Sequence, residues 1–317
     1  MTVPEMACDI QMDLAIIILN WNAAADTLRC IHDIATWKRL RPTIWVVDNA
    51  STDGSDQVIA RECPNVHLIR NATNLGFAGG NNRGIAQALA ASDAPILLLN
   101  NDAFIEEEHV IRLLETLQAN EQIGFVGTLL LDAEQKDRLL AVGGKNPVLH
   151  HHSHIAKITS NEPICTVEYV PGTVLLVRAE IFRTVGLLDE DYFFSTEVAD
   201  LCRQARQKGY RSVVDTRVWA FHSLGRSSSL RATLHTYYIV RNRFLFIRKF
   251  YHYGRVLLDG FWTFYSLALA LKLVLSGKPA TARAVRLGLL DGLRGRFGGQ
   301  NERVLAACSG LTSQIAP

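Results

Sequence analysis

Residues 14–22 read LAIIILNWN. The run Leu14–Leu19 is continuous and rich in β-branched residues, which predicts a strand buried on both faces. It ends in a polar group, Asn20-Trp21-Asn22. The same pattern recurs downstream. Thr43–Val47 (TIWVV) predicts a second strand ending at Asp48, Val66–Ile69 a third, and Pro95–Leu99 (PILLL) a fourth ending at Asn100-Asn101-Asp102. Helix-like stretches separate them. Thr27–Ile34 carries Leu28, Ile31 and Ile34 at three-residue spacing, and Gly54 to Glu62 and the Ala-rich Asn82–Ala91 follow. Glu106–Gln118 opens with an acidic turn, as the helix dipole favours. Strands alternating with helices predict an α/β fold with a doubly wound, mostly parallel sheet.

Composition narrows the class. The chain has 317 residues, 48% of them apolar and 20% charged, which excludes disorder and collagen-like order. Lys and Arg number 33 against 31 Asp and Glu, so no basic field points to nucleic acid. Six cysteines without a CxxC pair argue against a disulfide framework or a structural zinc site and fit a reducing cytosol. The first dozen residues lack the cationic start of a secretory signal.

Beyond residue 120 the rhythm changes. Gly124–Leu131 and Tyr169–Val177 predict strands, Asp132–Glu168 an irregular polar stretch, and Ala179–Val185 and Val198–Lys208 helices. Ser212–Val214 and Val218–Phe221 read as two short strands, and a helical tail starts near Ser227. The expected organisation is an α/β domain over 1–225 and a helical C-terminal extension over 226–317. Within the extension, Gly260–Leu271 carries no charge and is bracketed by Asp259 and Lys272. It is short for a membrane span. A helix buried in a bundle or homodimer interface and a helix lying on a membrane both remain open, with Phe261, Trp262 and Tyr265 favouring the second. The run HHHSH at 150–154 reads as a solvated loop. Arg241 and Arg243 read either as a solvated helix face or as contacts to diphosphate or an anionic lipid-linked acceptor.

In open α/β sheets, ligands bind outside the carboxyl ends of the strands. The polar groups at 20–22, 48–55 and 100–102, with the glycine-rich turn Asn74–Asn82, crowd one such edge. Asp48 suits an N–H of a nucleobase. Asp53 suits either a ligand or the start of the next helix. Gly76, Gly79 and Gly80 permit close backbone approach. Asp102 lies where a divalent ion could bridge a carboxylate and a diphosphate.

Taken in order, VVDNASTDGS (46–55), NLGFAGGNNRG (74–84), LLLNND (97–102), PGTVLLVRAEIF (171–182) and VGLLDEDYFF (185–194) resemble the family 2 glycosyltransferases of the GT-A fold. The nearest likeness is to the bacterial rhamnosyltransferase-like branch that builds cell-surface polysaccharides, over about residues 13 to 250. The resemblance implies an inverting, metal-dependent transfer from a nucleotide-diphosphate sugar, dTDP- or UDP-linked, to a glycan or lipid-linked acceptor, with Mg²⁺ or Mn²⁺ as cofactor. It implies that Asn22, Asp48 and Asp53 line the nucleotide pocket, and that Gly76, Gly80, Asn81 and Asn100 border the donor cleft. Asn100-Asn101-Asp102 is similar to the family's Asp-x-Asp metal motif with the first acid replaced, which leaves Asp102 as the metal contact and His222, in AFHSLGRS, as its downstream partner.

One departure matters. The family places two adjacent acids before an Asp-Leu pair, and the second is generally the base. Here the stretch reads Thr196-Glu197-Val198-Ala199-Asp200-Leu201, so Val198 stands where the base is expected. Valine takes no proton, yet the acceptor hydroxyl must lose one as it attacks. Glu197 as base, Asp200 as base, or another group remain open. So does a catalytically inactive, nucleotide-binding or scaffold protein. The absence of a glycine loop after the first strand disfavours a sugar nucleotidyltransferase and a nicotinamide dehydrogenase. Balanced charge and the lack of a signal-like start lead us to expect a cytoplasmic protein, and residues 256–277 offer peripheral contact to the inner membrane face as one of the two open readings of that helix.

Overall fold

The computed structural model describes residues 12–151, 153–155, 157, 162–223 and 229–309. The N-terminal half alternates as expected. It runs β1 (Ala15–Asn20), α1 (Ala24–Ala35), β2 (Thr43–Asp48), α2 (Ser55–Glu62), β3 (His67–Arg70), α3 (Gly76–Ala91), β4 (Ile96–Asn100), β5 (Ala103–Phe104) and α4 (Glu107–Gln118). There follow β6 (Ile123–Asp132), the short strands β7 (Leu139–Ala141), β8 (Gly143–Gly144), β9 (His154–Ile155) and β10 (Ile164–Val167), then β11 (Val174–Val177), α5 (Ala179–Thr184), α6 (Glu197–Gln207) and β12 (Arg211–His222). Four helices close the described chain: α7 (Ser229–Phe250), α8 (Arg255–Leu275), α9 (Pro279–Arg294) and α10 (Asn301–Ser309).

The main sheet has the order β10-β12-β6-β11-β4-β1-β2-β3. Strands β3, β2, β1 and β4 are parallel, whereas β11 runs antiparallel to both β4 and β6. β1 is central, and its side chains alternate between two apolar layers. Ile16 and Ile18 belong to the layer that also holds buried residues of α1, α2 and α4, and Ala15 and Ile17 to the layer that holds those of α3, α5, α6 and α7. From β1 the chain winds outward to β2 on one side and β4 on the other, so the strand order reverses there and opens a crevice at the carboxyl edge.

Several sequence readings are corrected by packing. The predicted glycine-rich turn at 74–82 is largely helix, because α3 already begins at Gly76. Its glycines allow close approach to the sheet. A Cβ at Gly80 would fall 2.4 Å from Leu19 Cδ1, and one at Gly84 2.6 Å from Ile17 Cγ2. The two short strands predicted after residue 211 are one strand, β12, whose irregularity between Asp215 and Trp219 hides its continuity. The strand predicted from Tyr169 starts only at Val174, after Pro171-Gly172. The irregular stretch 132–168 holds β7 to β10 in its described parts.

The boundary expected at 225/226 falls in segment 224–228, outside the described residues. Beyond it, Val240, Phe244, Trp262, Val285 and Leu289 join the same apolar layer as Ile17. Burial of 260–271 within the chain's own helical bundle is not what the structure shows, whereas a homodimer interface and a membrane surface both stay open to its exposed face. α8 buries Trp262, Ser266 and Ala270, spaced one helical turn apart, and exposes Val256, Leu257, Phe261, Phe264, Leu267, Leu271, Val274 and Leu275. Among the described residues it is the one helix long and apolar enough to cross a membrane by length and composition, and 17% of its most apolar window is buried. His152 lies outside the described residues. His150 is exposed, and His151 meets the Tyr265 ring edge-on.

Candidate active site

A polar chain runs along the carboxyl edge of β4, β1 and β2. Asn101 Nδ2 donates to Thr27 Oγ1 at 2.9 Å, and that hydroxyl donates to Asn20 Oδ1 at 2.7 Å. Asn20 Nδ2 in turn donates to Asp48 Oδ1 at 2.8 Å. Asp48 also accepts from Ser51, from the hydroxyl at 2.6 Å and the backbone N–H at 3.0 Å. Asn22, held at φ 51°, closes the chain: its N–H donates to Ser51 Oγ and its Oδ1 accepts from Thr52 N at 2.7 Å. Buried Asp48 is thus oriented before any ligand arrives, and Trp21, between Asn20 and Asn22 in the chain, is 48% exposed.

Asn49 ties this edge to α3. Its Nδ2 donates to Asn74 Oδ1 and Gly76 O, both at 3.0 Å, and its Oδ1 accepts from Leu75 N. Gly76 has φ 72°, and a Cβ there would meet Phe193 O at 2.2 Å. Only glycine fits that close, left-handed position. The other glycine-loop residues turn elsewhere. Gly80 faces Leu19, and Asn81 donates to Phe77 O of its own helix at 2.9 Å. Asp53 accepts from the N–H and hydroxyl of Ser55 and so supports the start of α2, and those bonds hold its carboxyl below the usual range.

Asp102 follows β4, and His222 ends β12. The β5–β12 pairing sets His222 opposite Ala103 and brings His222 Nε2 within 3.2 Å of Asp102 Oδ1, with both side chains mostly shielded. Asn100, the first residue of the expected motif, is anchored through its N–H to Thr173 O at 2.9 Å. One carboxylate oxygen and one imidazole nitrogen are suitable donors for a divalent ion that takes its other ligands from phosphate and water. An octahedral ion with bonds of about 2.1 Å holds adjacent ligands about 3 Å apart, so the observed separation fits. Among the described residues no group of three or more His, Cys, Asp or Glu is arranged for a metal.

Glu197 opens α6 and is 5% exposed. Its Oε2 is buried and makes no hydrogen bond. Burial, only partly offset by its own N–H and reinforced by the charge of Asp200, pushes the carboxyl from 4.5 up to about 7. A carboxylate poised near neutrality suits proton transfer. Asp200, one turn on, is fully engaged. It accepts from Tyr192 Oη at 2.7 Å and from Gln204, and pairs with Lys249 Nζ at 2.6 Å. Lys249 also reaches Asp189 at 2.7 Å. Val198 points into packing, with its Cγ2 near Gly172, and is 4% exposed. The arginines of α7 are neither a solvated face nor free for diphosphate. Arg241 is fully buried against backbone carbonyls, and Arg243 stacks on Trp262 at 3.6 Å and donates to Pro147 O.

A family model described as "Glycosyl transferase family 2" matches residues 15–169. Curated relatives extend the match. An N-acetylglucosaminyl-diphospho-decaprenol L-rhamnosyltransferase of Mycobacterium tuberculosis is 27% identical, over 79% of this chain and 89% of that protein. The dTDP-rhamnosyl transferase RfbF of Shigella flexneri is 25% identical, over 89% and 96%. The model and these relatives together mark the chain as similar to glycosyltransferase family 2. The fold agrees. A mannosyltransferase from Pyrobaculum calidifontis, solved with GDP-Man and Mn2+, superposes with a TM-score of 0.57 at 15% identity, over 96% of this chain and 81% of that one.

In this chain the structure brings Asp102 to His222, joins Asp48 to Asn22 through Ser51, and sets Gly76 against the loop that leads to Glu197. It turns Asp53, Gly80 and Asn81 toward local partners. Sequence reasoning gave no role to Asn242, which meets the loop before Glu197, or to Lys249, which pairs with Asp200; both lay inside the basic stretch RNRFLFIRK, so the only available signal was proximity.

Proposed function

We propose that this protein is a glycosyltransferase that moves a hexosyl or deoxyhexosyl group from a dTDP- or UDP-linked donor to a hydroxyl of a glycan or lipid-linked acceptor, with inversion, in cell-surface polysaccharide synthesis. The observation that carries the reading is the meeting of Asp102 and His222 at 3.2 Å, on the same sheet edge that orients Asp48. The activities for which the two relatives are named support a dTDP donor and a diphospho-polyprenol acceptor.

In this reading the nucleobase stacks on Trp21 and donates to Asp48. Asn22, Asp53, Gly76, Gly80, Asn81 and Asn100 border the donor. Asp102 and His222 would hold Mg²⁺ or Mn²⁺, which would supply positive charge against the leaving diphosphate. Glu197 takes the proton of the acceptor hydroxyl as its oxygen bonds to the anomeric carbon. The bond from that carbon to the diphosphate breaks, and its electron pair leaves with the nucleoside diphosphate. Asp200 braces α6 through Tyr192 and Lys249. The protein acts in the cytoplasm, with the apolar stripe of α8 lying on the inner membrane face, where a lipid-linked acceptor resides.

The test is donor turnover with NMR of the product anomer, in wild type and Glu197→Gln. Wild type is expected to consume one donor only with acceptor present and to give the inverted anomer. Glu197→Gln is expected to bind nucleotide without turnover. A wild type that binds nucleotide but transfers from no donor would instead support the scaffold reading, to which Val198 points.

A further inference from the structure

The loop from Asp191 to Thr196 delivers the chain to Glu197, and it is an unusual loop. Phe193, Ser195 and Thr196 all have positive φ, at 63°, 71° and 82°. Such conformations cost on the order of 1 kcal/mol or more each in non-glycine residues and persist only where the surroundings over-determine them. Here the backbone carbonyls account for that. Phe193 O accepts from Phe77 N at 2.7 Å and Ala78 N at 3.3 Å, at the start of α3. Thr196 O accepts from Asp200 N at 2.9 Å. The other carbonyls of the loop are taken by two neighbouring side chains of α7.

Asn242 Nδ2 lies 3.1 Å from Tyr192 O, 2.8 Å from Phe194 O and 2.6 Å from Ser195 O. Arg241 Nη2 donates to Asp191 O at 2.9 Å and Tyr192 O at 2.8 Å, and its Nη1 donates to Gly298 O. Arg241 Nε donates to Asn242 Oδ1 at 2.9 Å, which fixes the amide with its NH₂ toward the loop. Both residues are fully buried. Burying a guanidinium is costly unless its donors are met. Among the described residues its hydrogen bonds run to neutral oxygens, so its strength is spent on holding backbone.

We propose that Arg241 and Asn242 are positioning residues of the transfer reaction. From α7 they set the 191–196 loop and thereby hold the Glu197 carboxylate in its buried place at the head of α6. The proposal rests on Glu197 being the base. It makes the helical extension part of the catalytic architecture, because the groups that aim the base lie beyond residue 226.

The test is Asn242→Asp, close in shape but unable to donate, in the full-length enzyme, with Arg241→Lys as the second variant. Folding and donor-site integrity are read from the melting transition and from UDP and dTDP binding. A displacement of about 1 Å at a reacting group costs on the order of 100-fold in rate. The expected result is therefore a kcat about 100-fold lower, with donor KM within about threefold of wild type. The pH profile supplies a readout that a merely structural role would not move. Glu197 is faced by Asp200 on its own helix, by Tyr169, and by Tyr192, with Lys249 behind Asp200. A loosened loop lets water reach the carboxyl, so the acid inflection of kcat/KM is expected to move down in Arg241→Lys, which keeps the charge; the new carboxylate of Asn242→Asp opposes that movement, so that variant is judged by kcat and donor KM. If Asn242→Asp does not fold, Arg241→Lys is judged by the same measures. A folded, nucleotide-binding variant with wild-type kcat and an unmoved inflection overturns the proposal while leaving the base assignment intact. Full transfer by Glu197→Gln overturns the base assignment and the proposal with it.

Discussion

Replacing Glu197 by glutamine should stabilise the protein, and the gain should grow with pH. The Glu197 carboxyl sits at about 7 in the folded chain against 4.5 unperturbed, because it is buried beside Asp200 with Oε2 unpartnered. A raised folded value means stability that is complete below 4.5 and is lost as pH rises through 7. In that window the unfolded chain releases a proton that the native state retains. The shift of roughly 2.5 units corresponds to about 3 kcal/mol at 1.36 kcal/mol per unit. Glutamine never ionises, so the stability of the variant relative to wild type should rise by about 2.5 kcal/mol between pH 5 and pH 8.5. Urea unfolding of both proteins at several pH values, followed by tryptophan fluorescence, measures this directly. A difference that stays constant within about 0.5 kcal/mol across that range, or shrinks with pH, would refute the assignment of Glu197 as a buried carboxyl titrating near neutrality.

In the proposed reaction the same group sets the rate. kcat/KM should rise through an acid inflection near pH 7, and Glu197→Gln should lose about 10²- to 10⁴-fold in kcat while still binding donor. Lys249→Met should lower stability by roughly 3 kcal/mol in denaturant titrations, because it strips the buried Asp200 of its cation. Burial alone would depress the Lys249 ammonium, but Asp200 and Asp189 outweigh it and hold its pKa above the ordinary value. Phe261→Glu with Phe264→Glu should abolish sedimentation with anionic vesicles and leave nucleotide binding unchanged. A wild-type protein that ignores such vesicles, or that instead dimerises through α8 in analytical ultracentrifugation, would contradict the membrane assignment.

What the sequence made legible follows from which forces act locally. Continuous β-branched runs such as Leu14–Leu19 can hardly be anything but buried strands, and the four parallel strands were placed to within a residue or two. The stretch at 74–82 was misread because glycine weakens a helix in isolation. The need for small residues against Leu19 and Ile17 exists only once the sheet is built. Arg241 was read as a surface or ligand cation because charge normally implies water, and nothing local announces a guanidinium buried among carbonyls. Asp102 and His222 lie far apart in the chain, so the resemblance, and no spacing, linked them. The sheet then brought them together through β5 and β12. Glu197 was nameable as a candidate from its place beside Val198. Its burial and unpaired oxygen depend on a loop held from α7, which no local pattern encodes.

The central claim is a donor site on the carboxyl edge of the sheet, completed by a divalent ion on Asp102 and His222. The most direct measurement is thermal-shift binding of a nucleoside diphosphate panel with and without Mn²⁺, on wild type, Asp102→Ala and His222→Ala. A ligand bound by the native state raises the melting temperature by mass action. The account predicts a shift with dTDP or UDP that needs Mn²⁺ in wild type and falls away in both variants. A nucleotide shift of equal size without Mn²⁺, or one that survives in Asp102→Ala, would contradict it.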